Sequence, residues 1–188
     1  MSLFEIAART ADPALPENLQ GPLTAVGDAV TAGLSFPYGA AVCEVEIDPE
    51  TGALTIPRYT SVDDVGRALN PLILHGQTHG GIVQGVGQAW QEAIRFDEDG
   101  QPVAASFMDY AMPRATDYPS FATALSEVPA TSHPMGFRPG GEGGTTPALG
   151  VFVSAIADAL GDLGVHHVEM PATPLAIWEA IGRARDGA

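Results

Sequence analysis

One stretch of the sequence decides the fold. Residues 70–90 read NPLILHGQTHGGIVQGVGQAW, and their apolar side chains recur at helical spacing. Asn70 followed by Pro71 is typical of a helix start, so this stretch predicts a long helix over residues 72–93. Each of its glycines costs a helix up to about 1 kcal/mol relative to alanine. Either a second backbone or a bulky cofactor approaching the helix, or simple packing against a sheet, would explain them. These glycines are Gly76, Gly80, Gly81, Gly85 and Gly87.

Upstream of this helix the apolar residues alternate with polar ones, which is the period of a β-strand. A turn sequence, DPETG at residues 48–52, separates two such runs and predicts a hairpin of strands over residues 37–47 and 53–65. The fold class that we predict is α+β, with β-hairpins and a mixed sheet packed with helices. Further strands are predicted at residues 94–97, 102–107, 122–128 and 165–170, and further helices at residues 4–10, 147–160 and 174–183.

The chain divides by composition near residue 36. Residues 1–35 are predicted to form the end of a truncated helix and an extended loop rich in proline and glycine. Residues 36–188 carry the regular hydrophobic patterns and are predicted to form one α+β domain.

Composition limits the classes of function. With 188 residues and 45% apolar content, the chain is long and apolar enough to bury its own core. Eight arginines and no lysine oppose 23 acidic residues, and the resulting charge of −15 repels nucleic acids and anionic membranes. No apolar run predicts a membrane span, and no signal peptide is recognisable, so we expect a cytoplasmic protein. The single cysteine, Cys43, excludes an internal disulfide and is expected in the core.

Glu142 is the candidate for acid–base chemistry. It lies in GGEGGT at residues 140–145, where small neighbours cannot shield it and a helix N-terminus follows. A carboxylate so placed can act as a base toward a bound ligand, although a solvated loop glutamate gives the same pattern.

Two further groups of polar residues lie at the start of the long helix. Gln77 has an amide that offers both a donor and an acceptor to a ligand, or it simply faces water. His75 and His79 stand four residues apart, which is the spacing of two zinc ligands on a helix. No third ligand is evident, so we predict no metal held by protein side chains.

In chain order, these segments resemble a known family. The matching runs include GGIVQGVGQ at residues 80–88 and SFMDYAMPRA at residues 106–115. The chain resembles the C-terminal part of the molybdopterin-binding large subunit of the xanthine oxidase and aldehyde oxidase family, in the branch that contains carbon monoxide dehydrogenase large chains. The other matching runs are residues 38–49, 51–52, 63–67, 69–71, 76–79, 134–145 and 166–181.

The resemblance implies a function for the candidate residues. Glu142 stands where the family has its catalytic base beside molybdenum, and Gln77 where it has a glutamine near that centre. The resemblance also implies that the glycine loop, Gly140, Gly141, Gly143 and Gly144, approaches the cofactor closely, and that the glycines of the long helix pack around it. The implied cofactor is molybdopterin, in bacterial members usually as the cytosine dinucleotide.

The resemblance also implies partners. They are the remainder of the large subunit and separate iron–sulfur and flavin subunits. Because the chain would hold only part of a cofactor cleft, we expect it to be inactive alone. We expect the chain to be part of a longer subunit or the product of a split gene. The alternative is a non-catalytic remnant, or a scaffold that retains the fold and self-associates through exposed apolar surface.

Overall fold

The structure is a computed structural model that describes residues 1–28, 30 and 33–187. It divides into two compact units, Met1–Ala32 and Gly33–Ala188, and the second carries the sheet and the longer helices. The domain boundary that we place before residue 36 stays a prediction.

The first unit begins with helix α1, Leu3–Arg9, so the helix predicted over residues 4–10 is confirmed. Ser2 caps it, because its hydroxyl accepts the Glu5 N–H at 3.3 Å while its own N–H donates to the Glu5 carboxylate at 2.6 Å. In the described part of the predicted loop, residues 11–35, the regular element is a short 3₁₀ helix, Glu17–Leu19. Residues 29, 31 and 32 of that loop lie outside the described residues.

The predicted hairpin is confirmed in the second unit. Strands β1, Tyr38–Ile47, and β2, Leu54–Asp64, pair antiparallel across a turn that the Asp48 carboxylate stabilises by accepting the Glu50 N–H at 2.9 Å. The predicted alternation in β1 is also right, since Cys43 is buried and its neighbours Val42 and Glu44 are exposed.

A third strand makes the sheet mixed. Strand β3, Ala122–Leu125, pairs parallel with β2, so the order is β1–β2–β3. A parallel pair needs a long crossover connection, and the chain between β2 and β3 contains helix α2, Pro71–Trp90. The α+β class is confirmed.

Helix α2 packs against helix α3, Thr145–Leu160, through glycine. A Cβ atom on Gly81 would lie 2.8 Å from the Thr145 nitrogen, and one on Gly85 would lie 2.7 Å from the Ala148 Cβ. On the α3 side, a Cβ atom on Gly144 would collide with the Thr78 carbonyl oxygen. The two helix backbones are therefore in direct contact, which explains glycine in these places without a cofactor.

The glycines of α2 have different surroundings. Gly87 faces the ring of Pro113, whereas no heavy atom of residues 1–28, 30 and 33–187 lies within 4 Å of a Cβ atom built on Gly76 or Gly80. The expectation that these glycines pack around a cofactor is therefore wrong for Gly81, Gly85 and Gly87, since protein atoms already occupy that space.

The last helix, α4, spans Pro174–Asp186 and begins as predicted. Its cap is Thr173, whose hydroxyl accepts the Ala176 N–H at 3.2 Å. Helices α2, α3 and α4 and the sheet share one hydrophobic core. The largest side chains buried in that core are Tyr59, Phe152, Ile82, Ile156, Leu160, Ile177, Ile181 and Val86.

Helix α3 corrects one sequence-based expectation. With the turn that follows, Thr145–Leu163 is long and apolar enough to cross a membrane by length and composition alone, although we expected no such segment. One face of the helix, formed by Ala148, Phe152 and Ile156, is buried in the core. Core packing on that face accounts for much of its apolar character.

The second predicted hairpin, residues 94–107, is wrong. Its arms meet at a single bridge between Phe96 and Pro102, and Val103 N–H donates to the Arg95 carbonyl at 2.8 Å. Ile94 and Phe96 remain 65% and 64% exposed, so no core stabilises an extended ladder, and Pro102 has no N–H to donate.

The predicted final strand, residues 165–170, is also wrong. The segment has no β-pairing and runs as an irregular connection into α4. Its buried residues, Val165 and Val168, are three apart rather than two, and Ala172 N–H then donates to the Ala89 carbonyl at 2.7 Å. Core packing without strand partners therefore explains its apolar residues.

Substitution of two glycines on α2 tests the helix contact. We expect Gly85→Ala to lower the free energy of unfolding by about 1–3 kcal/mol, because the new methyl group overlaps Ala148. The matched control is Gly80→Ala on the same helix, which adds its methyl group in open space and should raise stability by up to about 1 kcal/mol. Urea unfolding of both variants measures the difference, and equal effects would contradict the proposed contact.

Candidate functional site

The loop that carries Glu142 is held at its start by the end of β2. Residues 136–138 run antiparallel to residues 65–67: Arg67 N–H donates to the Gly136 carbonyl at 2.9 Å, and Arg138 N–H donates to the Val65 carbonyl at 2.8 Å. Gly66, at φ +68°, fits this approach because a side chain there would strike the Gly136 carbonyl oxygen. The loop therefore leaves the sheet in a fixed direction.

A partly buried ion pair reinforces this start. The Arg138 Nε lies 3.9 Å from the Asp64 Oδ1, and the Arg138 guanidinium lies 4.9 Å from the centre of the Tyr38 ring. Asp64 Oδ1 also accepts the N–H groups of Gly66 at 2.8 Å and Val128 at 3.2 Å. Asp64 thus joins β2, residue 128 and the glycine loop.

Four loop glycines were predicted as cofactor contacts, and the structure separates them. Gly140 packs against protein, since a Cβ atom there would lie 3.0 Å from the Leu74 Cδ2, and Gly144 is pressed on the Thr78 carbonyl. In the part of the chain that the structure describes, no heavy atom lies within 4 Å of a Cβ atom built on Gly141, and only the Asp63 carboxyl lies within that range of one on Gly143. Gly141 and Gly143 are therefore the two with room beside them for a ligand.

Gln77 binds the middle of the loop. Its Nε2 donates to the Gly141 carbonyl at 2.8 Å, although 64 residues separate the two in sequence. The structure thus brings Gln77 and the residue before Glu142 together, and leaves the Gln77 side-chain oxygen without a hydrogen bond among the described residues.

Glu142 is exposed at the rim of a cleft of about 330 Å³. Its carbonyl accepts the Thr146 N–H at 3.0 Å, which joins it to the first turn of α3. Among the described residues no side chain caps that turn, so the turn presents the positive end of a helix dipole to an acceptor. The cleft is lined by Phe36, Pro37, Tyr38, Gly39, Ala40, Ala41, Asp63, Glu142, Gly143, Thr146 and Pro147.

Asp63, which sequence reasoning did not select, is a second carboxyl group in the cleft. Its side chain is almost entirely buried, at 5% exposure, and burial raises its pKa, against the hydrogen bonds from Thr78 and Ser61 that lower it. The strand period would have identified it: in β2, Tyr59, Ser61 and Asp63 alternate on the buried side.

The two helix histidines converge on one hydroxyl group rather than on a metal. His75 Nδ1 lies 2.8 Å and His79 Nε2 lies 3.1 Å from the Thr123 Oγ1 on β3. Among the described residues, no group of three or more His, Cys, Asp or Glu side chains could hold a metal ion. A metal in this cleft would need its own organic ligand.

Comparisons with known proteins point to one family. A model of the molybdopterin cofactor-binding domain matches residues 12–119, a range that includes Gln77 and ends before Glu142. The chain is 38% identical over 181 residues to the gamma subunit of the 6-hydroxypseudooxynicotine dehydrogenase complex of Paenarthrobacter nicotinovorans, which covers 95% of this chain and 22% of that protein. It is 34% identical over 164 residues to the carbon monoxide dehydrogenase large chain of Afipia carboxidovorans, covering 87% of this chain and 20% of that one.

Solved structures agree with the sequence comparisons. A copper- and molybdenum-containing carbon monoxide dehydrogenase superposes on 98% of this chain and 23% of its own, with a TM-score of 0.88 and 31% identity. Quinoline 2-oxidoreductase from Pseudomonas putida 86 covers 73% of this chain and 18% of its own, with a TM-score of 0.71 and 36% identity. The chain thus spans about a fifth of the length of these relatives.

The Gln77 hydrogen bond can be tested with two glutamines of one helix. We expect Gln77→Leu to speed amide hydrogen exchange in residues 140–144 by about fivefold, since a typical hydrogen bond contributes about 1 kcal/mol. Gln84→Leu is the control, because Gln84 is exposed on the same helix and its side chain makes no hydrogen bond among the described residues. Equal exchange in both variants would show that Gln77 does not hold the loop.

Proposed function

The chain belongs to the molybdopterin cofactor-binding domain family, and from that membership we propose that it works as part of a molybdenum hydroxylase large subunit. Its contribution would be the catalytic base, Glu142, and one wall of the cofactor cleft, with Gln77 and the glycine loop in contact with the cofactor. The observation that carries this proposal is the 2.8 Å hydrogen bond from Gln77 to Gly141, which joins the amide of one helix to the loop that bears an exposed carboxylate.

The residues in and beside the cleft fit a molybdopterin. Gln77 offers an amide, Gly141 leaves room for a planar ring or phosphate, and the uncapped first turn of α3 favours an anion. These neutral donors suit a phosphate-bearing cofactor in a chain whose net charge of −15 would repel one. Since no side-chain cluster of the described residues could hold a metal, molybdenum would depend on the pterin for its ligands.

Glu142 would serve as the general base. When bound, the molybdenum cofactor supplies the two-electron oxidation that hydroxylation of a substrate carbon requires. A carboxylate oxygen of Glu142 accepts the proton released as the oxygen nucleophile attacks. Small residues on both sides leave that carboxylate open to the reacting group, and the bond from Thr146 N–H to its carbonyl holds its backbone in place.

We further propose the cytosine dinucleotide form of the cofactor, a cytoplasmic location, and iron–sulfur and flavin subunits as partners. Support for partners comes from the relative described as one subunit of a dehydrogenase complex. Because the chain supplies one side of the cleft, it should show no hydroxylase turnover by itself.

One observation favours a second candidate function, a self-associating scaffold. Apolar side chains at the start of α2 are strongly exposed: Leu69 at 78%, Leu72 at 83% and Ile73 at 65%. Grouped exposed apolar residues are typical of surfaces that another protein covers.

The role of Glu142 is tested by Glu142→Gln in the complete subunit assembled with its partners. We expect turnover to fall by about 10²–10⁴-fold, because the amide cannot accept the proton, while molybdenum and pterin content stay unchanged. The control Glu98→Gln removes an exposed carboxylate from the turn at residues 97–100 and should leave turnover unchanged. Activity of Glu142→Gln within a few-fold of wild type would disprove the base.

The scaffold alternative is tested by light scattering on the purified chain. We expect self-association that the double variant Leu72→Glu and Ile73→Glu reduces, because charges at these exposed positions oppose apolar contact. A chain that is monomeric at all concentrations, with and without the substitutions, would exclude the scaffold.

A further inference from the structure

A buried carboxyl group and an exposed one line the same cleft. Asp63 is 5% exposed, whereas Glu142 lies at the rim. Where an acid–base site pairs a buried carboxyl group with an exposed one, the difference in surroundings separates the acid from the base.

The two oxygens of Asp63 have different surroundings. Oδ2 lies 3.4 Å from the hydroxyl oxygens of both Ser61 and Thr78, which donate to it. Oδ1 turns toward the cleft wall, since Cβ atoms built on Gly39 and Gly143 would lie 2.8 Å and 3.5 Å from it. Among the described residues, Oδ1 has no hydrogen-bond partner and no cationic side chain within 4.0 Å.

The glycines on either side keep Oδ1 accessible. A side chain on Gly39 would displace or cover this oxygen, and one on Gly143 would pack against it. A buried carboxylate without a cation is costly, so such a group holds its proton or meets a partner that comes from outside the chain.

The charged and titratable groups around Asp63 are few. His75 on α2, when protonated, lowers the pKa of Asp63, and burial opposes it as the larger effect. Tyr59 lies on the same side of β2, Tyr38 of β1 lines the cleft, and Glu142 enters from the loop before α3. None of these except His75 offers a positive charge.

We propose that Asp63 is a second acid of the cleft, whose Oδ1 carries a proton and donates a hydrogen bond to an acceptor atom on the molecule bound against Glu142. This inference rests on the proposed function for the identity of that molecule, which is the pterin cofactor or the substrate. Both classes present carbonyl or ring-nitrogen acceptors, so the chemistry of the contact is shared. Asp63 would then donate a hydrogen bond to the bound molecule, whereas Glu142 would accept a proton from it.

The first test uses the chain itself and needs no cofactor. Because folding raises the pKa of Asp63, wild type should lose stability as the pH rises from the unfolded-state pKa through the folded-state pKa. Asp63→Asn has no proton to lose there, so its stability relative to wild type should increase across that range. Asp48→Asn is the matched control. Its stability relative to wild type should fall as the pH rises, because hydrogen bonds from Glu50 N–H and the Thr51 hydroxyl lower the pKa of Asp48 in the folded state. A flat difference for Asp63→Asn would overturn the proposal.

The second test uses the complete subunit and separates a donor from an ionised group. Asp63→Asn keeps a neutral donor and should retain molybdenum content and turnover within about threefold. Asp63→Val has no donor, so either its molybdenum content or its turnover should fall at least tenfold. Lower molybdenum and pterin content would identify the cofactor as the acceptor, and a higher KM with full content would identify the substrate. Equal damage from both variants, or none from Asp63→Val, would overturn the proposal.

Two further variants keep these outcomes distinct. Thr78→Val removes the hydroxyl bonded to Oδ2 and leaves the carboxyl in place, so a loss as large as that of Asp63→Val would mean that Asp63 acts only by holding α2. Glu142→Gln in parallel reports on the proposed base independently: it can fail while the Asp63 series succeeds, and the reverse. Thermal unfolding of each variant confirms that the comparison is between folded proteins.

Discussion

The contact between the backbones of α2 and α3 is the constraint on which the site depends. Gly81 and Gly85 let the first turns of α3 lie directly on α2. On the other side of the contact, the absence of a side chain on Gly144 leaves space for the Thr78 carbonyl oxygen. Because α3 begins where the glycine loop ends, the position of this contact decides where residues 140–144 lie. The Gln77 amide then reaches the loop only because the helices are this close.

The electrostatics of the cleft follow from the same arrangement. An acidic chain would repel a phosphate-bearing ligand over most of its surface. The Gln77 amide lies beside the cleft and a helix N-terminus opens into it, whereas no cationic side chain is among the described residues that line it. The nearby arginine, Arg138, has a structural role: it contacts the Asp64 carboxylate and the Tyr38 ring at the start of the loop. The two acidic residues of the cleft differ in burial, so one strand and one loop provide carboxyl groups with different chemistry.

Much of the fold could be predicted because its elements have strong local patterns. The β1–β2 hairpin has a turn sequence and a clear alternation, and α2 has both a cap and a period. The second hairpin could not be predicted correctly, because residues 94–107 have the local pattern of strands but no core to cover them. The strand predicted over residues 165–170 is wrong for the opposite reason: Val165 and Val168 are buried by tertiary packing that no local pattern encodes.

The site was partly predictable for similar reasons. Gln77 and the glycine loop stood out by composition, but which glycines contact protein and which have open space depends on α3 packing against α2. Asp63 was missed because a carboxyl group near the end of a strand is ordinarily exposed, and its place on the buried side of β2 is what distinguishes it. Whether Glu142 and Gln77 contact a cofactor remains a proposal that their geometry supports.

The pairing of residues 65–67 with residues 136–138 also has a consequence for how the protein is made. Contacts between segments so distant in sequence raise the contact order, and the chain between them must be closed into a loop before either side is stabilised. During synthesis α2 leaves the ribosome long before α3, so its glycine face has no partner for that interval. The cleft can therefore form only after residues 142–147, which contain part of its lining, have been synthesised.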